Sequence, residues 1–455
     1  MDHTRKLSDF CADLTMDKLP SQVVEKAKFC LLDYVANIYG SLELAAVGRV
    51  VEYVRGLGAS GPATVLACGF STDLHHAALV NGTTGEAIES QDGLRFGGNH
   101  PGVAVIPAAL ATAEEKKKGG REVIEAIVAG YEAADRPAAA MHPWHTLKGF
   151  LPTGTCGTFG AAAAAAKVRG YDRSLTLNAL GNAGYLTPMS MAEHLMGGYT
   201  VKIVQGGQAA LAGILAADLA AVGLTGTPQV LEGSALKGGF TQITSAADPK
   251  FEKLSEGLGE QYSIMDIYFK PYTACRHTHG AAQAALTLLA QHRIDPAGIE
   301  AVQVLTYGIA QLAVGKGVVS GDSFVAAQFS IPYVTAAVLL DGELGPRQLT
   351  EKRMADPALL ALAGRVTVAT DEALNAAYPG KTSSRVEITM KSGQTLTAQV
   401  DIPKGDPRDP LEAEGLTAKV RAFAGNRDQD RLGRVIDLVL NLEKVASISE
   451  LTVLI

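Results

Sequence analysis

Residues 269–280 read Phe269-Lys270-Pro271-Tyr272-Thr273-Ala274-Cys275-Arg276-His277-Thr278-His279-Gly280, and the character of the chain changes across them. Before them apolar residues recur at helical spacing; beyond them β-branched residues begin to alternate with polar ones. The stretch places Lys270, Arg276, His277 and His279, all able to carry positive charge, where a Pro-containing irregular segment runs into an Ala-rich helix. Free backbone N–H groups at a helix start favour negative charge, so an anion is the expected partner. The alternative is a solvated basic face, and the partner groups elsewhere in the chain decide between them.

Upstream, Val24, Ala27, Leu31, Leu32, Val35 and Ile38 mark an amphipathic helix over residues 21–40 with Ser21 as its N-cap. The pattern continues over 46–57, 73–80, 107–115, 123–134, 159–169, 174–181, 209–221 and 228–231, mostly Ala-heavy segments whose small side chains let helices approach closely. Downstream, residues 301–307 and 365–370 read as strands, and 384–390 returns as 395–400 across the Ser392-Gly393 turn as a hairpin. Helices over 281–291 and 331–340 alternate with these strands, and after Lys404-Gly405-Asp406-Pro407 the chain reverts to helix over 416–423 and 431–442. The expected fold is mainly α: a large all-helical domain from both chain ends (1–269 and 404–455) with a smaller α+β unit (270–403) inserted.

A chain of 455 residues, 47% hydrophobic and 19% charged, exceeds the size of a usual single core, which supports two domains. A net charge of −7 with no basic block interleaved with aromatics argues against nucleic acid as a partner. No apolar run is expected to reach the length of a bilayer span, since Lys167 and Arg169 soon follow Ala161–Ala166. The start of the chain lacks the apolar core of a secretory signal, and five cysteines without CxxC or other metal spacing fit a reducing cytoplasm. No metal or organic cofactor is expected: Gly154-Thr155-Cys156-Gly157-Thr158-Phe159-Gly160 has neither the GxGxxG nor the P-loop spacing and reads as a close-packing helix face.

His100, in Gly97-Gly98-Asn99-His100-Pro101-Gly102, is expected on a loop, and Asp92 eight residues earlier offers a carboxylate to orient it and tune it near neutral pH; a surface histidine is the alternative reading. Lys202, between Val201 and Ile203, is expected to point into a cavity or pair with a carboxylate, and burial would lower its pKa. Tyr333, after Pro332 on an apolar helix, reads equally as a core tyrosine or a proton donor.

Seven blocks, in order, resemble the MmgE/PrpD family: Asn81-Gly82-Thr83 leading to Asp92; His100-Pro101-Gly102 with Pro107-Ala108-Ala109; Gly149 to Thr155; Lys202 with Ala209-Ala210; Lys270 to His279; Phe329 to Tyr333; and Lys404 to Pro407. The resemblance implies a homodimer whose inserted unit is a lid, and a cofactor-free site between the domains acting on small di- or tricarboxylic acids. It implies proton transfer next to a carboxylate, with Asp92, His100, Lys202, Lys270 and Tyr333 lining the site. The chain departs from the family pattern at Leu151, before Pro152-Thr153, and at Gln205, where histidines are usual, and its acidic block reads Glu89-Ser90-Gln91-Asp92. His145 is a candidate to reach the same pocket.

These readings make the chain a lyase of the dehydratase or decarboxylase type, with His100 and Lys202 as the acid/base pair and Asp92 orienting His100. Lys270, Arg276, His277 and His279 would hold carboxylates, and Thr153, Gln205, His145 and an apolar Leu151 wall would line the substrate. An epimerase, which needs two bases on opposite faces, and a catalytically silent carboxylate binder are the alternatives.

Overall fold

The structure, a computed structural model, describes residues 2–455. Helix takes 58% of the chain and strand 9%, so the chain is mainly α as expected. Along the first part run α1 (Ser21–Ser41), α2 (Leu74–Ala87), α3 (Gly102–Glu115), α4 (Gly120–Met141), α5 (Pro152–Val168), α6 (Arg173–Leu186) and α7 (Gln205–Ala221). Helix α5 is the centre of this bundle, packed by α3, α4, α6 and α7. Its run of alanines is buried. Gly157 and Gly160 are required there because a Cβ on Gly157 would lie 2.9 Å from Ala104 Cβ, and one on Gly160 would lie 2.7 Å from the Gly130 carbonyl. The glycine run is thus a packing face inside a helix.

Several helix ends differ from the sequence reading. Pro20 and not Ser21 caps α1. Helices α3 and α4 run through Pro107 and Pro137, because tertiary packing outweighs the lost ladder bonds. Residues 228–231 form turns and not helix. Residues 200–221 are long and apolar enough to cross a membrane by length and composition, against the expectation of no such run; most of that stretch is buried, packed against α2, α3, α5 and α6.

Farther on come α8 (His279–Gln291), β1 (Ile299–Thr306), α9 (Ile331–Asp341), β2 (Val366–Thr370), β3 (Ser384–Met390) and β4 (Thr395–Val400). The sheet order is β2-β1-β3-β4, with β1 parallel to β2 and antiparallel to β3. The hairpin keeps the expected register, Thr389 opposite Thr395, with Gly393 at φ +86° in the turn. Helix α8 covers β3 and β4 and packs on α9. The last helices, α10 (Ala413–Ala424) and α11 (Gln429–Leu440), pack against α1, so the two chain ends meet.

Candidate active site

At the C-terminal end of α2 the chain leaves the helix through Glu89, which adopts φ +54°. A non-glycine side chain in that region costs about 1–2 kcal/mol, so strong partners must hold it. They are two lysines. Glu89 Oε1 accepts from Lys270 Nζ at 2.7 Å, Oε2 accepts from Lys202 Nζ, and the Glu89 carbonyl lies 3.3 Å from Lys270 Nζ. Lys202 Nζ also sits 3.1 Å from Glu86 Oε1. All four side chains are buried, with at most 2% of any exposed.

Glu86 is held in turn by the start of α7, where Gly206 N donates to its Oε2 at 2.9 Å, as a carboxylate at a helix N-terminus should be. A Cβ on Gly206 would approach that oxygen to 2.9 Å and Val103 Cγ2 to 2.6 Å, so glycine admits the contact. Gln205 donates its Nε2 to Glu86, while its Oε1 is buried and has no hydrogen-bond partner among the described residues.

His100 stands beside this quartet on the loop before α3. Its Nδ1 lies 2.6 Å from the Asp92 main-chain oxygen, and because a carbonyl only accepts, Nδ1 carries the proton and Nε2 is left as the basic nitrogen. The His100 amide donates to Thr153 Oγ1 at 3.1 Å, which ties the loop to the first turn of α5. Burial, reinforced by Lys270, pushes the imidazole pKa down to about 3. The ring is therefore neutral at physiological pH.

Two expected roles change here. Asp92 does orient His100, but through its backbone; its carboxylate accepts from Tyr131 Oη at 2.5 Å and Gly102 N at 3.2 Å, and burial raises its pKa to about 7. Lys202 was expected to be lowered by burial. Burial does act that way, but the carboxylates of Glu89 and Glu86 outweigh it and hold the ammonium above its ordinary value. Lys202 is a fixed cation at neutral pH and not a base.

Of the cationic stretch only Lys270 joins the quartet. Arg276 donates from Nη1 to the Lys404 carbonyl and from Nη2 to the Pro403 carbonyl, both at 2.7 Å, and lies 5.0 Å from the Tyr268 ring centroid. It clasps the segment where the chain leaves the sheet, in place of the expected carboxylate. His279 is buried against the Ala274 carbonyl at 3.0 Å, and His277 Nδ1 meets Tyr307 Oη at 2.6 Å. Tyr333 donates its hydroxyl to the Gln348 carbonyl, away from the quartet. His145 is satisfied by Thr155 Oγ1 at 2.7 Å and the Thr244 carbonyl at 3.0 Å and stacks on Phe150. The two hydrogen bonds use both ring nitrogens of His145, which leaves neither for a substrate. Leu151 caps α5 and is buried, yet it stays outside the connected hydrophobic core.

Sequence reasoning missed Glu89, Glu86 and Tyr131. A signal existed: two glutamates at the C-terminal end of a helix oppose the macrodipole and so call for cationic partners. Among the described residues no three of His, Cys, Asp and Glu converge as a metal ion would need. A groove of about 770 Å³ lined in part by Tyr272, Arg347 and Arg427 contains none of the quartet, so chemistry and not concavity marks the site.

The titrations give a pH dependence whose sign can be worked out. Burial lowers His100 to about 3 and His145 and His277 to about 4, so their contributions are full above about pH 6.5 and are lost as pH falls. Asp92, raised to about 7, runs the other way: its contribution is full below about pH 3.9 and is lost as pH rises towards 7. Between about pH 6.5 and 4 the three histidines make stability fall on acidification, and Asp92, together with Asp33, Glu86 and Asp135, which burial also raises, opposes that fall. Relative to wild type, Asp92→Asn should shift the slope towards a steeper fall by removing one of the opposing titrations. Urea midpoints of both proteins across this range test it, and an unchanged slope refutes the assignment.

Models of two domains match the chain, the MmgE/PrpD N-terminal domain over residues 5–252 and the MmgE/PrpD C-terminal domain over residues 272–444. A cis-aconitate decarboxylase of Aspergillus terreus is 27% identical over 474 residues, covering 98% of this chain and 94% of that protein. The cis-aconitate decarboxylase of Homo sapiens is 29% identical over 394 residues, 84% of this chain and 79% of its own. A 2-methylcitrate dehydratase of Cupriavidus necator is 30% identical over 230 residues, 48% of this chain and 46% of its own.

Proposed function

The chain belongs to the MmgE/PrpD family, and we propose from that premise that it is a lyase, of dehydratase or decarboxylase type, acting on a small carboxylic acid. The observation that carries this reading is the buried Glu89 bridging Lys202 and Lys270 beside a neutral His100 with a free Nε2. An entering carboxylate accepts from the N–H donors of the two ammonium groups that Glu89 and Glu86 leave over, with charge-assisted bonds in a water-poor site, while Glu89 keeps the lysines in place. In dehydration His100 Nε2 takes the proton from the carbon next to that carboxylate, and the lysines stabilise the charge that builds on its oxygens. As the C–O bond breaks, the imidazolium returns the proton to the departing hydroxide as water. In decarboxylation the ring, protonated from solvent, gives its proton to the carbon, and the C–C bond to the lost carboxylate breaks to release CO₂. Substrate charge close to the ring also raises the His100 pKa towards the working range. The curated relatives named cis-aconitate decarboxylase and 2-methylcitrate dehydratase support a lyase.

Incubation of the protein with candidate acids in D₂O tests the proposal. Deuterium incorporation together with loss of CO₂ or water is expected; washout without elimination would replace it with an epimerase, and binding without exchange with a silent binder.

The substrate is proposed to be less charged than a tricarboxylate where it meets Leu151, because leucine offers no donor or charge. A carboxylate desolvated there without a partner loses about 1–3 kcal/mol or more. Leu151→His should then raise kcat/KM for cis-aconitate relative to simpler unsaturated dicarboxylates by about 10-fold. Efficient use of cis-aconitate by the wild-type protein would refute this.

The first domain is not all-helical as expected, since Ala63–Val65 pairs with Phe70–Thr72 and Gly93–Leu94 with Ile267–Tyr268 as two short sheets. The division into this mainly helical domain (1–269 and 404–455) and a lid (270–403) is proposed on the packing of α10 and α11 against α1 and the confinement of the four-stranded sheet to residues 299–400. A homodimer is proposed on the exposed apolar side chains Tyr185, Met189, Met196, Tyr199 and Val201. A 47.4-kDa species in sedimentation velocity would refute it.

A further inference from the structure

We infer that Lys419, on the C-terminal helix α10, is a positioning residue for the Glu89–Lys270 pair. Leaving α2 through a left-handed Glu89 turns the next carbonyl, that of Ser90, away from any helix or sheet ladder. Ser90 is fully buried, so this oxygen must find a donor inside the protein. Lys419 provides it. Its Nζ donates to Ser90 O at 2.6 Å and to Asp33 Oδ1 at 2.7 Å, with 3% of the lysine side chain and 1% of the aspartate exposed.

The contact is one step from the quartet. Ser90 Oγ donates to the Lys270 carbonyl at 2.9 Å, so one residue is held at its own carbonyl by Lys419 and holds Lys270 by its hydroxyl. Asp33 lies on α1 and supplies the counter-charge that a buried ammonium requires, with Asn37 donating to its other oxygen at 3.1 Å. Two helices from opposite ends of the chain thereby form one peg, and the strained Glu89 backbone is fastened to it. A bare core ion pair would stabilise the helices and leave residues 89–91 indifferent; a positioning role requires those residues to respond selectively.

The inference rests on the reading of Glu89 and Lys270 as substrate machinery, so its test uses a readout independent of any substrate. Hydrogen exchange by mass spectrometry is measured over residues 86–92 and 267–273 of the full chain. The compared proteins are wild type, Lys419→Met with Asp33→Asn, which leaves no unpaired buried charge, and Ser90→Ala, which cuts the link to Lys270 and spares the ion pair. Exchange at residues 89–91 should rise at least about 10-fold in the double variant, with the amides of α3 to α5 unchanged. With a substrate in hand, kcat should fall by about 10-fold while KM stays within a factor of two or so. Ser90→Ala should show a smaller change of the same kind, and decides the matter if the double variant does not fold. Unchanged exchange at 89–91, or an increase spread evenly over α1 and α10, overturns the inference. Selective exchange with no acid turned over by the wild-type protein would leave Lys419 as the peg and remove the lyase reading alone.

Discussion

Glu89→Gln is expected to be the most damaging single substitution in the chain, for stability and activity together. The change keeps the shape and removes the one charge that faces both Lys202 Nζ and Lys270 Nζ at hydrogen-bond distance. Lys202 retains Glu86, but Lys270 loses its carboxylate partner while its side chain stays completely buried. Breaking a buried ion pair from one side costs about 3–5 kcal/mol, because an uncompensated charge remains in low dielectric. Turnover should drop by about 10³-fold, since the geometry of both lysines depends on this carboxylate. Urea denaturation and the D₂O assay measure the two effects. The double variant Glu89→Gln with Lys270→Met separates them: removing both charges should restore most of the stability, and activity should stay lost. A Glu89→Gln protein as stable as wild type would show that the quartet is not a closed charge balance.

His100→Gln is expected to reduce turnover by about 10²–10⁴-fold, the range for a general base, while the fold survives. Glutamine can place an N–H near the Asp92 carbonyl that Nδ1 now reaches at 2.6 Å, so no buried acceptor is orphaned, but it has no basic nitrogen to put where Nε2 stands. Lys202→Ala should cost about 10²-fold or more as well, by a different route: the cation that neutralises Glu86 and Glu89 is lost. The two variants are told apart by stability, since only the second leaves buried carboxylates short of a counter-charge. Near wild-type turnover in His100→Gln at an unchanged melting temperature would remove His100 from the chemistry.

The sequence alone was enough to place most helices and the hairpin, because both signals are local. Apolar spacing of 3.6 and of 2, and a Ser-Gly turn, need no knowledge of the rest of the chain. The same locality explains the errors at helix ends: Pro107 lies inside α3, where packing by α2, α5 and α7 repays a broken ladder bond. His100, Lys202 and Lys270 were also legible, since a histidine between glycine and proline and a lysine among apolar residues are unusual wherever the chain folds. What could not be read is which group each one faces. Lys202 and Glu89 are 113 residues apart, Lys270 and Glu89 181, and Lys419 and Ser90 329, so no spacing rule connects them. Tertiary structure alone decided that the carboxylate at the centre is Glu89 and not Asp92, that Arg276 holds backbone and not substrate, and that Lys202 keeps its proton. The physical reason is common to all three. In a dry interior the charge state and aim of a side chain are set by the partner that ends up within about 3 Å of it, and that partner is chosen by how the helices pack.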